Sequence, residues 1–244
     1  MRITVPDGSF EAFVARPDAA ASPAVLVIQE IFGVNDDIRS TCRELAAAGF
    51  LAVAPELFWR DAPGLDLDSR READWQRGLE LYRSYDLGRG VHDVAATVEA
   101  ARALSGSNGK AGVMGFCLGG LMAYLAAVRT DIDAAVAYYG GNIDQHLDEA
   151  GSLRTPLMLH LGDQDEFIPR KAQARILATL GENSTAAVHI YAGQSHAFAR
   201  HSGAHYDAEA ASLANQRTYA FFETHLRAGR AAGVEPRQLV GGNA

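Results

Sequence analysis

The chain has 244 residues and a formal net charge of −8, with 48% hydrophobic and 21% charged residues. This composition is typical of a soluble globular enzyme, and an α/β chain of this length often forms one domain. Binding to nucleic acid or to an anionic membrane surface requires clustered Lys and Arg, so we expect neither partner. The two cysteines, Cys42 and Cys117, form no Cys-x-x-Cys motif, so we expect neither a disulfide scaffold nor a structural zinc site.

The ends and the apolar runs of the chain give expectations about location and domain organisation. The first residues show no signal peptide, and the apolar runs stay short of the roughly 20 residues that a membrane span requires. We therefore expect a monomer in the reducing cytoplasm. We expect residues 1–230 to form a single domain and residues 231–244 to form a short Gly-rich tail.

Strand and helix patterns alternate along the chain. Several apolar runs lack polar alternation, which is typical of strands buried on both faces of a parallel sheet. The order predicts an α/β fold, with a mostly parallel central sheet of about eight strands and helices on both faces. A turn is expected at 105–109, and an irregular wall or lid over a site at 56–68. The predicted strands are 2–5, 10–15, 24–28, 51–54, 111–115, 134–139, 157–161 and 187–191, and the predicted helices are 35–48, 70–82, 92–104, 119–128, 170–180 and 207–227.

A cysteine between glycines lies where a predicted strand meets a predicted helix, in the segment Gly115-Phe116-Cys117-Leu118-Gly119. This segment matches the nucleophile elbow Gly-x-Ser-x-Gly of the α/β-hydrolases, with Cys117 in the place of serine. The helix N-terminus favours a thiolate and a developing oxyanion, and the N–H of Leu118 is a candidate oxyanion-hole donor. The alternative is a close-packed turn in which Cys117 is a small buried hydrophobic residue.

Two later loops supply the remaining members of a hydrolase triad in the chain order nucleophile, acid, histidine. Asp163 and Asp165 follow the strand at 157–161, and His196 follows the strand at 187–191. Open α/β sheets bind ligands at the carboxyl ends of their strands. We therefore predict that Asp165 orients His196 and that Asp163 braces its loop. The alternative for Asp165 is a cap on the helix at 170–180.

His201 and His205 are four residues apart, which is a spacing that a helix can use to bind a metal. The only carboxylate close to them in sequence is Asp207. We therefore interpret both as surface histidines and predict no metal site.

The loop after the first buried strand carries a carboxylate, Glu30, beside apolar residues. An ionised group in such a place is costly unless it is paired. Glu30 can take part in catalysis or form a structural salt bridge to Arg200, and neither role excludes the other. The same loop is expected to supply a second oxyanion-hole N–H, which we assign to Ile31.

Six segments spread over nearly the whole chain resemble the dienelactone hydrolases (carboxymethylenebutenolidases), a family of the α/β-hydrolase superfamily. Their combination is specific to that family, whereas the elbow alone is not. The segments are Gln29-Glu30-Ile31-Phe32-Gly33-Val34-Asn35, Ser107-Asn108-Gly109-Lys110, Gly115-Phe116-Cys117-Leu118-Gly119-Gly120, Tyr138-Tyr139-Gly140, Gly162-Asp163-Gln164-Asp165-Glu166-Phe167-Ile168-Pro169 and Ser195-His196-Ala197-Phe198-Ala199-Arg200.

The resemblance implies a hydrolase that opens an unsaturated lactone to give maleylacetate, without a metal or organic cofactor. It implies that Cys117 is the nucleophile and that Asp165 and His196 complete the triad. It further implies that Glu30 holds the resting thiol and accepts its proton. Arg200 would meet the substrate carboxylate and draw Glu30 away from the thiol.

The sequence departs from the family pattern in the substrate pocket. Trp75 stands where the family has a second carboxylate-binding arginine, Leu79 replaces a tyrosine of the same helix, and Ala197 replaces the serine after the histidine. These changes remove polar anchors, so a broader carboxylesterase for larger or less charged esters is the alternative activity. A non-catalytic ligand-binding protein and a redox sensor are the alternatives from other functional classes. The residues expected to contact substrate are Arg200, Trp75, Leu79, Tyr138, Ala197 and Phe32.

Overall fold

One sheet of eight strands runs through the part of the chain that the structure, a computed structural model, describes, residues 1–227. The strands are β1 (Arg2–Val5), β2 (Gly8–Ala15), β3 (Ser22–Ile28), β4 (Leu51–Pro55), β5 (Ser107–Phe116), β6 (Ala134–Tyr138), β7 (Leu157–Gly162) and β8 (Ala186–Tyr191). Their order in the sheet is β1-β2-β4-β3-β5-β6-β7-β8. The β1–β2 and β2–β4 pairs are antiparallel, and the other pairs are parallel. The predicted fold class is confirmed.

Helices cover this sheet. They are α1 (Asp36–Ala47), α2 (Glu72–Ser84), α3 (Leu87–Arg102), α4 (Leu118–Arg129), α5 (Arg170–Leu180) and α6 (Ala208–Leu226), with a 3-10 helix at Ile143–Ser152. Helices α3 and α4 pack against β5 and against each other. Phe222 and Leu226 of α6 lie over Gly112 of β5, where a Cβ would come within 2.8 Å of the Phe222 ring. Within residues 1–227, no helix has the length and apolar character that crossing a membrane requires.

The central strands are buried along their whole length. All residues of β3, β4, β6 and β7 are buried, as expected for strands that are covered on both faces. These strands run through the main hydrophobic core, and the loops at their carboxyl ends therefore extend from buried, hydrogen-bonded strands.

Two helix or strand boundaries differ from the sequence prediction by four residues or more. Helix α3 begins at Leu87 rather than at residue 92, because Asp86 caps it by accepting a hydrogen bond from the N–H of Arg89 at 3.0 Å. Strand β5 begins at Ser107, inside the predicted turn, because Ser107 pairs with Ser22 of β3. The 3-10 helix was not predicted. The proposed tail at 231–244 lies outside the described residues.

Candidate active site

Cys117 lies in the tight turn between β5 and α4. It has a positive φ of 53°, a conformation that is rare for residues with a side chain and is often found at functional sites. A Cβ on Gly115 would lie 2.1 Å from the carbonyl oxygen of Gly119, and a Cβ on Gly119 would lie 2.3 Å from that of Ile28. The turn therefore requires glycine on both sides of Cys117, as the elbow motif predicts.

The loops after β7 and β8 bring Asp165 and His196 together. Oδ2 of Asp165 lies 2.8 Å from Nδ1 of His196, and both side chains are buried. The other oxygen, Oδ1, accepts hydrogen bonds from the backbone N–H groups of Phe167 at 2.8 Å and Ile168 at 3.1 Å. Asp165 therefore both contacts the histidine and caps its own loop. Asp163 accepts a hydrogen bond from the N–H of Gly193 at 2.7 Å, which braces the two loops against each other.

The surroundings of His196 favour its protonated form. Burial lowers its pKa, but the negative charge of Cys117 and the hydrogen bond with Asp165 outweigh burial and raise the pKa to about 10. When Cys117 is ionised, the ring is therefore an imidazolium at neutral pH, and its Nδ1 donates to Asp165. Its other nitrogen, Nε2, is buried and has no hydrogen-bond partner within residues 1–227.

Glu30 and Arg200 form a buried ion pair next to this site. Nε of Arg200 donates to Oε2 of Glu30 at 2.6 Å, and the side chains are only 8% and 6% exposed. Burial lowers the pKa of Arg200, but the Glu30 carboxylate outweighs burial and raises it above its ordinary value. The guanidinium also lies over the rings of Phe32, at 5.1 Å, and Trp75, at 5.8 Å. The salt bridge considered from the sequence is therefore present.

Glu30 keeps one oxygen free for a second interaction. Its Oε1 is buried and has no hydrogen-bond partner in the described part of the chain. A buried carboxylate oxygen without a donor is costly, so this atom is suited to accept a proton or a hydrogen bond during a reaction.

The backbone N–H groups of Leu118 and Ile31 stay the candidates for the predicted oxyanion hole. Leu118 is the first residue of α4, so its N–H has no acceptor within the helix. Ile31 lies in the loop after β3 and lines the same cavity as Cys117. The positive end of the α4 dipole adds to the attraction for an anion at this point.

Cys117 and His196 line one cavity of about 130 Å³. This volume is below the several hundred Å³ that is common for ligand pockets, which favours a small ligand. The other residues that line it are Ile31, Phe32, Trp75, Leu79, Tyr82, Gly141, Asn142, Phe167 and Arg200.

Comparisons with known proteins identify the family of the chain. The model of the dienelactone hydrolase family matches residues 10–226. The chain belongs to the dienelactone hydrolase family. A protein of Azospirillum brasilense, provisionally named carboxymethylenebutenolidase, is 40% identical over 221 residues, which cover 90% of this chain and 95% of that relative. The carboxymethylenebutenolidase of Pseudomonas putida is 39% identical over 213 residues, which cover 87% of this chain and 90% of the relative.

A solved structure from Klebsiella pneumoniae, provisionally named a dienelactone hydrolase, superposes with a TM-score of 0.80 at 31% identity. The superposition covers 91% of this chain and 97% of the other. This dienelactone hydrolase family member therefore has the α/β-hydrolase fold, and it is a hydrolase.

The family member's cavity includes four residues that the sequence analysis did not assign to it, Tyr82, Gly141, Asn142 and Phe167. The sequence does contain an indication for Tyr82, because the spacing of Trp75, Leu79 and Tyr82 places all three side chains on one face of a helix. Asn142 lies where the chain leaves β6, but its type alone does not indicate a site.

Two predicted substrate contacts are not brought to the cavity. Tyr138 is fully buried, and its hydroxyl lies 2.7 Å from Oγ1 of Thr218 and 2.8 Å from Oδ1 of Asn215, both on α6. The prediction for Tyr138 is wrong, since successive side chains of a strand point to opposite faces and this one points to α6. Ala197 is 3% exposed and does not line the cavity, so its predicted contact is also wrong.

The two surface histidines have separate partners. Nε2 of His201 lies 3.4 Å from Oε1 of Glu44, and Nδ1 of His205 lies 3.1 Å from the carbonyl oxygen of His196. Residues 56–68 do not line the cavity. The N–H of Leu67, near the end of this segment, donates to the carbonyl oxygen of Phe32, a residue that lines the cavity, at 2.9 Å.

Proposed function

We propose that this hydrolase opens a small lactone of the dienelactone type through a thioester on Cys117, with His196 and Asp165 completing the triad. The observation that carries the proposal is the buried 2.8 Å contact between Asp165 and His196 beside a cavity that Cys117 also lines. A nucleophile, a base and a group that orients the base are the elements of covalent acyl transfer. Two relatives bear the name carboxymethylenebutenolidase, which supports the lactone as substrate.

Acylation begins once Glu30 has taken the proton of the Cys117 thiol, so that a thiolate lies beside the imidazolium of His196. The sulfur of Cys117 attacks the carbonyl carbon, and the N–H groups of Leu118 and Ile31 receive the charge that develops on the carbonyl oxygen. The carbon–oxygen bond of the ring then breaks, and the leaving oxygen takes the proton from Nε2 of His196. The product of this step is a thioester, with the released hydroxyl or its enol on the same molecule.

Deacylation uses the change of charge that acylation causes. The Cys117 charge is one of the causes that raise the pKa of His196, and a thioester sulfur carries no charge. The pKa of His196 therefore falls in the intermediate, and the neutral ring can accept a proton from water. Water attacks the thioester carbon, its proton goes to His196, and the carbon–sulfur bond breaks to give the free acid and the thiolate–imidazolium pair. The sulfur regains its proton from Glu30 when the product leaves.

Glu30 and Arg200 are proposed to control the thiol. Glu30 would accept the proton of the Cys117 thiol through its unpaired Oε1. A carboxylate on the substrate would compete for Arg200 and so change the position of Glu30. A carboxylate that holds the proton of the thiol in the resting enzyme lowers the share of thiolate that is open to oxidation, and substrate binding raises that share.

A less charged ester is the second candidate substrate. Trp75 and Leu79 form an apolar part of the cavity wall, and the guanidinium of Arg200 is already paired with Glu30. An uncharged acyl group fits such walls without losing solvation of a charge.

The test is kcat/KM of the purified protein on dienelactone beside p-nitrophenyl acetate. Strong preference for the dienelactone supports the lactone, whereas weak activity on it with good ester cleavage supports the second candidate. Cys117→Ala is expected to abolish both activities, and Cys42→Ala is the matched control because it removes the other, buried thiol. Residual activity of Cys117→Ala above a few per cent would contradict the nucleophile.

A further inference from the structure

Tyr82 and Asn142 form a hydrogen-bonded pair on the wall of the catalytic cavity. Nδ2 of Asn142 donates to the hydroxyl oxygen of Tyr82 at 2.7 Å, and both side chains are half-buried. Asn142 has a positive φ of 65°, a left-handed conformation that asparagine adopts more readily than most residues with a side chain and that is also found at ligand sites. Asn142 is the residue immediately before the 3-10 helix.

The pair leaves hydrogen-bond donors unused. Nε2 of Gln145 donates to Oδ1 of Asn142 at 2.9 Å, which sets the orientation of the amide. Because the Tyr82 oxygen accepts from Asn142, the proton of its own hydroxyl can be given to another acceptor. The second N–H of the Asn142 amide is a further donor. Both donors belong to residues that line the cavity with Cys117.

The chemistry of the cavity makes these donors selective. Most of the other residues that line the cavity are apolar, among them Ile31, Leu79 and Phe167. In such a pocket a few fixed polar groups decide the orientation of the ligand. Burial raises the pKa of Tyr82, and the nearby Cys117 charge raises it further. The phenol therefore stays protonated over the working pH range and remains a donor.

We propose that Tyr82 and Asn142 are a specificity subsite that binds an acceptor oxygen of the substrate other than the carbonyl oxygen under attack. The inference rests on the proposed function, since it assigns a second contact in the same cavity. The substrate class that follows is a small acyl compound with an additional ether, ketone, hydroxyl or carboxylate oxygen. Purely hydrocarbon acyl groups leave the two donors without a partner and are poorer substrates.

The experiment compares substrates that differ by one oxygen. p-Nitrophenyl butyrate and p-nitrophenyl methoxyacetate have acyl chains of the same length, and only the second has an ether oxygen. Dienelactone and its methyl ester form a second pair, which distinguishes the binding of a carboxylate from the binding of an uncharged acceptor oxygen. Tyr82→Phe removes only the hydroxyl, and Asn142→Gly removes the amide at a position whose φ suits glycine. Tyr206→Phe is the matched control, because Tyr206 is exposed and does not line the cavity.

Tyr82→Phe is expected to lower the kcat/KM ratio of methoxyacetate to butyrate, or of dienelactone to butyrate, roughly three- to tenfold, the effect of one hydrogen bond. Asn142→Gly is expected to act in the same direction, and Tyr206→Phe is expected to change neither ratio. A loss on dienelactone that its methyl ester does not share identifies the oxygen as the carboxylate.

The inference is overturned if Tyr82→Phe changes neither ratio, or if it lowers kcat/KM for butyrate as much as for the other substrates. The proposed function fails separately, if Cys117→Ala keeps its activity. A wild-type protein that cleaves none of the four substrates would overturn the proposed function and this inference together.

Discussion

The proton on His196 depends on the side chain of Cys117. Burial opposes a charged imidazole, and the charge of Cys117 and the contact with Asp165 favour it. His196 is buried, so water screens its charge little and each neighbouring charge has a large effect on its pKa. Removing the Cys117 charge should therefore change the protonation of His196 directly, without moving Asp165.

We predict that Cys117→Ala lowers the pKa of His196 from about 10. The raised pKa of the folded state contributes stability below the ordinary value near 6.5 and loses it as pH rises through about 10. The variant should lose part of that contribution at neutral pH. NMR titration of the histidine rings measures the shift. His160 is the internal control, since burial holds its pKa well below the ordinary value in both proteins, and an unchanged His196 would contradict the prediction.

The ion pair of Glu30 and Arg200 gives a second prediction for single residues. Glu30→Gln leaves the buried Arg200 charge without its carboxylate, which we expect to lower the free energy of unfolding by about 3–5 kcal/mol. The same variant should reduce kcat/KM if Glu30 accepts the thiol proton. Urea unfolding and a pH profile of kcat/KM measure the two effects.

Glu11→Gln is the matched control for this variant. Glu11 pairs with Arg2 at 2.9 Å, but both side chains are more than half exposed, and such pairs contribute at most about 1 kcal/mol. An equal loss of unfolding free energy in both variants would show that the buried Glu30–Arg200 pair stabilises the fold no more than an exposed pair does. An unchanged kcat/KM of Glu30→Gln at every pH would refute the proposed proton transfer.

The sequence predicts which residues belong to the triad better than it predicts the face of the strand to which each side chain points. The order of Cys117, Asp165 and His196 follows from motifs, and the structure places Asp165 and His196 in contact. Tyr138 and Tyr139 are neighbours in sequence, yet the ring of Tyr139 meets that of His196 at 5.0 Å, whereas Tyr138 points to α6. A strand that is buried on both faces shows no alternation of polarity, so the sequence could not tell which tyrosine faces the site.

At the scale of elements, the connection from β5 to α4 sets the position of the proposed nucleophile. Helix α4 lies so close to β3 that Gly119 has no room for a side chain, because its Cβ would meet the carbonyl oxygen of Ile28 at 2.3 Å. The apolar runs predicted both elements. The close approach of α4 to β3 was predictable only because the glycines around Cys117 match the elbow pattern.

We predict that Gly119→Ala displaces the start of α4 and therefore reduces kcat more than it reduces binding. The clash should also lower the free energy of unfolding by about 1–3 kcal/mol, the usual cost of overpacking. Gly151→Ala is the control, since a Cβ there meets nothing within 4 Å. Steady-state kinetics and urea unfolding of both variants make the test. If Gly119→Ala keeps the wild-type kcat, the position of α4 does not determine the reactivity of Cys117.

At the scale of the whole molecule, the parallel strands gather distant residues at one edge of the sheet. Glu30 follows β3, Cys117 follows β5, and Asp165 and His196 follow β7 and β8. This gathering was predictable, because the carboxyl ends of parallel strands share an edge. The cover of the site by α2 was expected only from the family resemblance, which assigned Trp75 and Leu79 to the pocket, because α2 reaches the site through tertiary packing. A Cβ on Gly78 of α2 would lie 2.7 Å from the carbonyl oxygen of Ile31.

The same architecture separates the two thiols of the molecule. Cys42 lies on the buried face of α1, and burial raises its pKa to about 12, so roughly one molecule in ten thousand carries that thiolate at pH 8. Cys117 lines the open cavity beside the imidazolium of His196. We predict that iodoacetamide alkylates Cys117 in the native protein and that Cys42 reacts only after unfolding. Peptide mass mapping of native and urea-unfolded protein measures both rates, with Cys117→Ala as the control for labelling of Cys42 alone. Comparable native rates at the two positions would mean that the fold does not protect Cys42, and that the cavity gives Cys117 no advantage as a nucleophile.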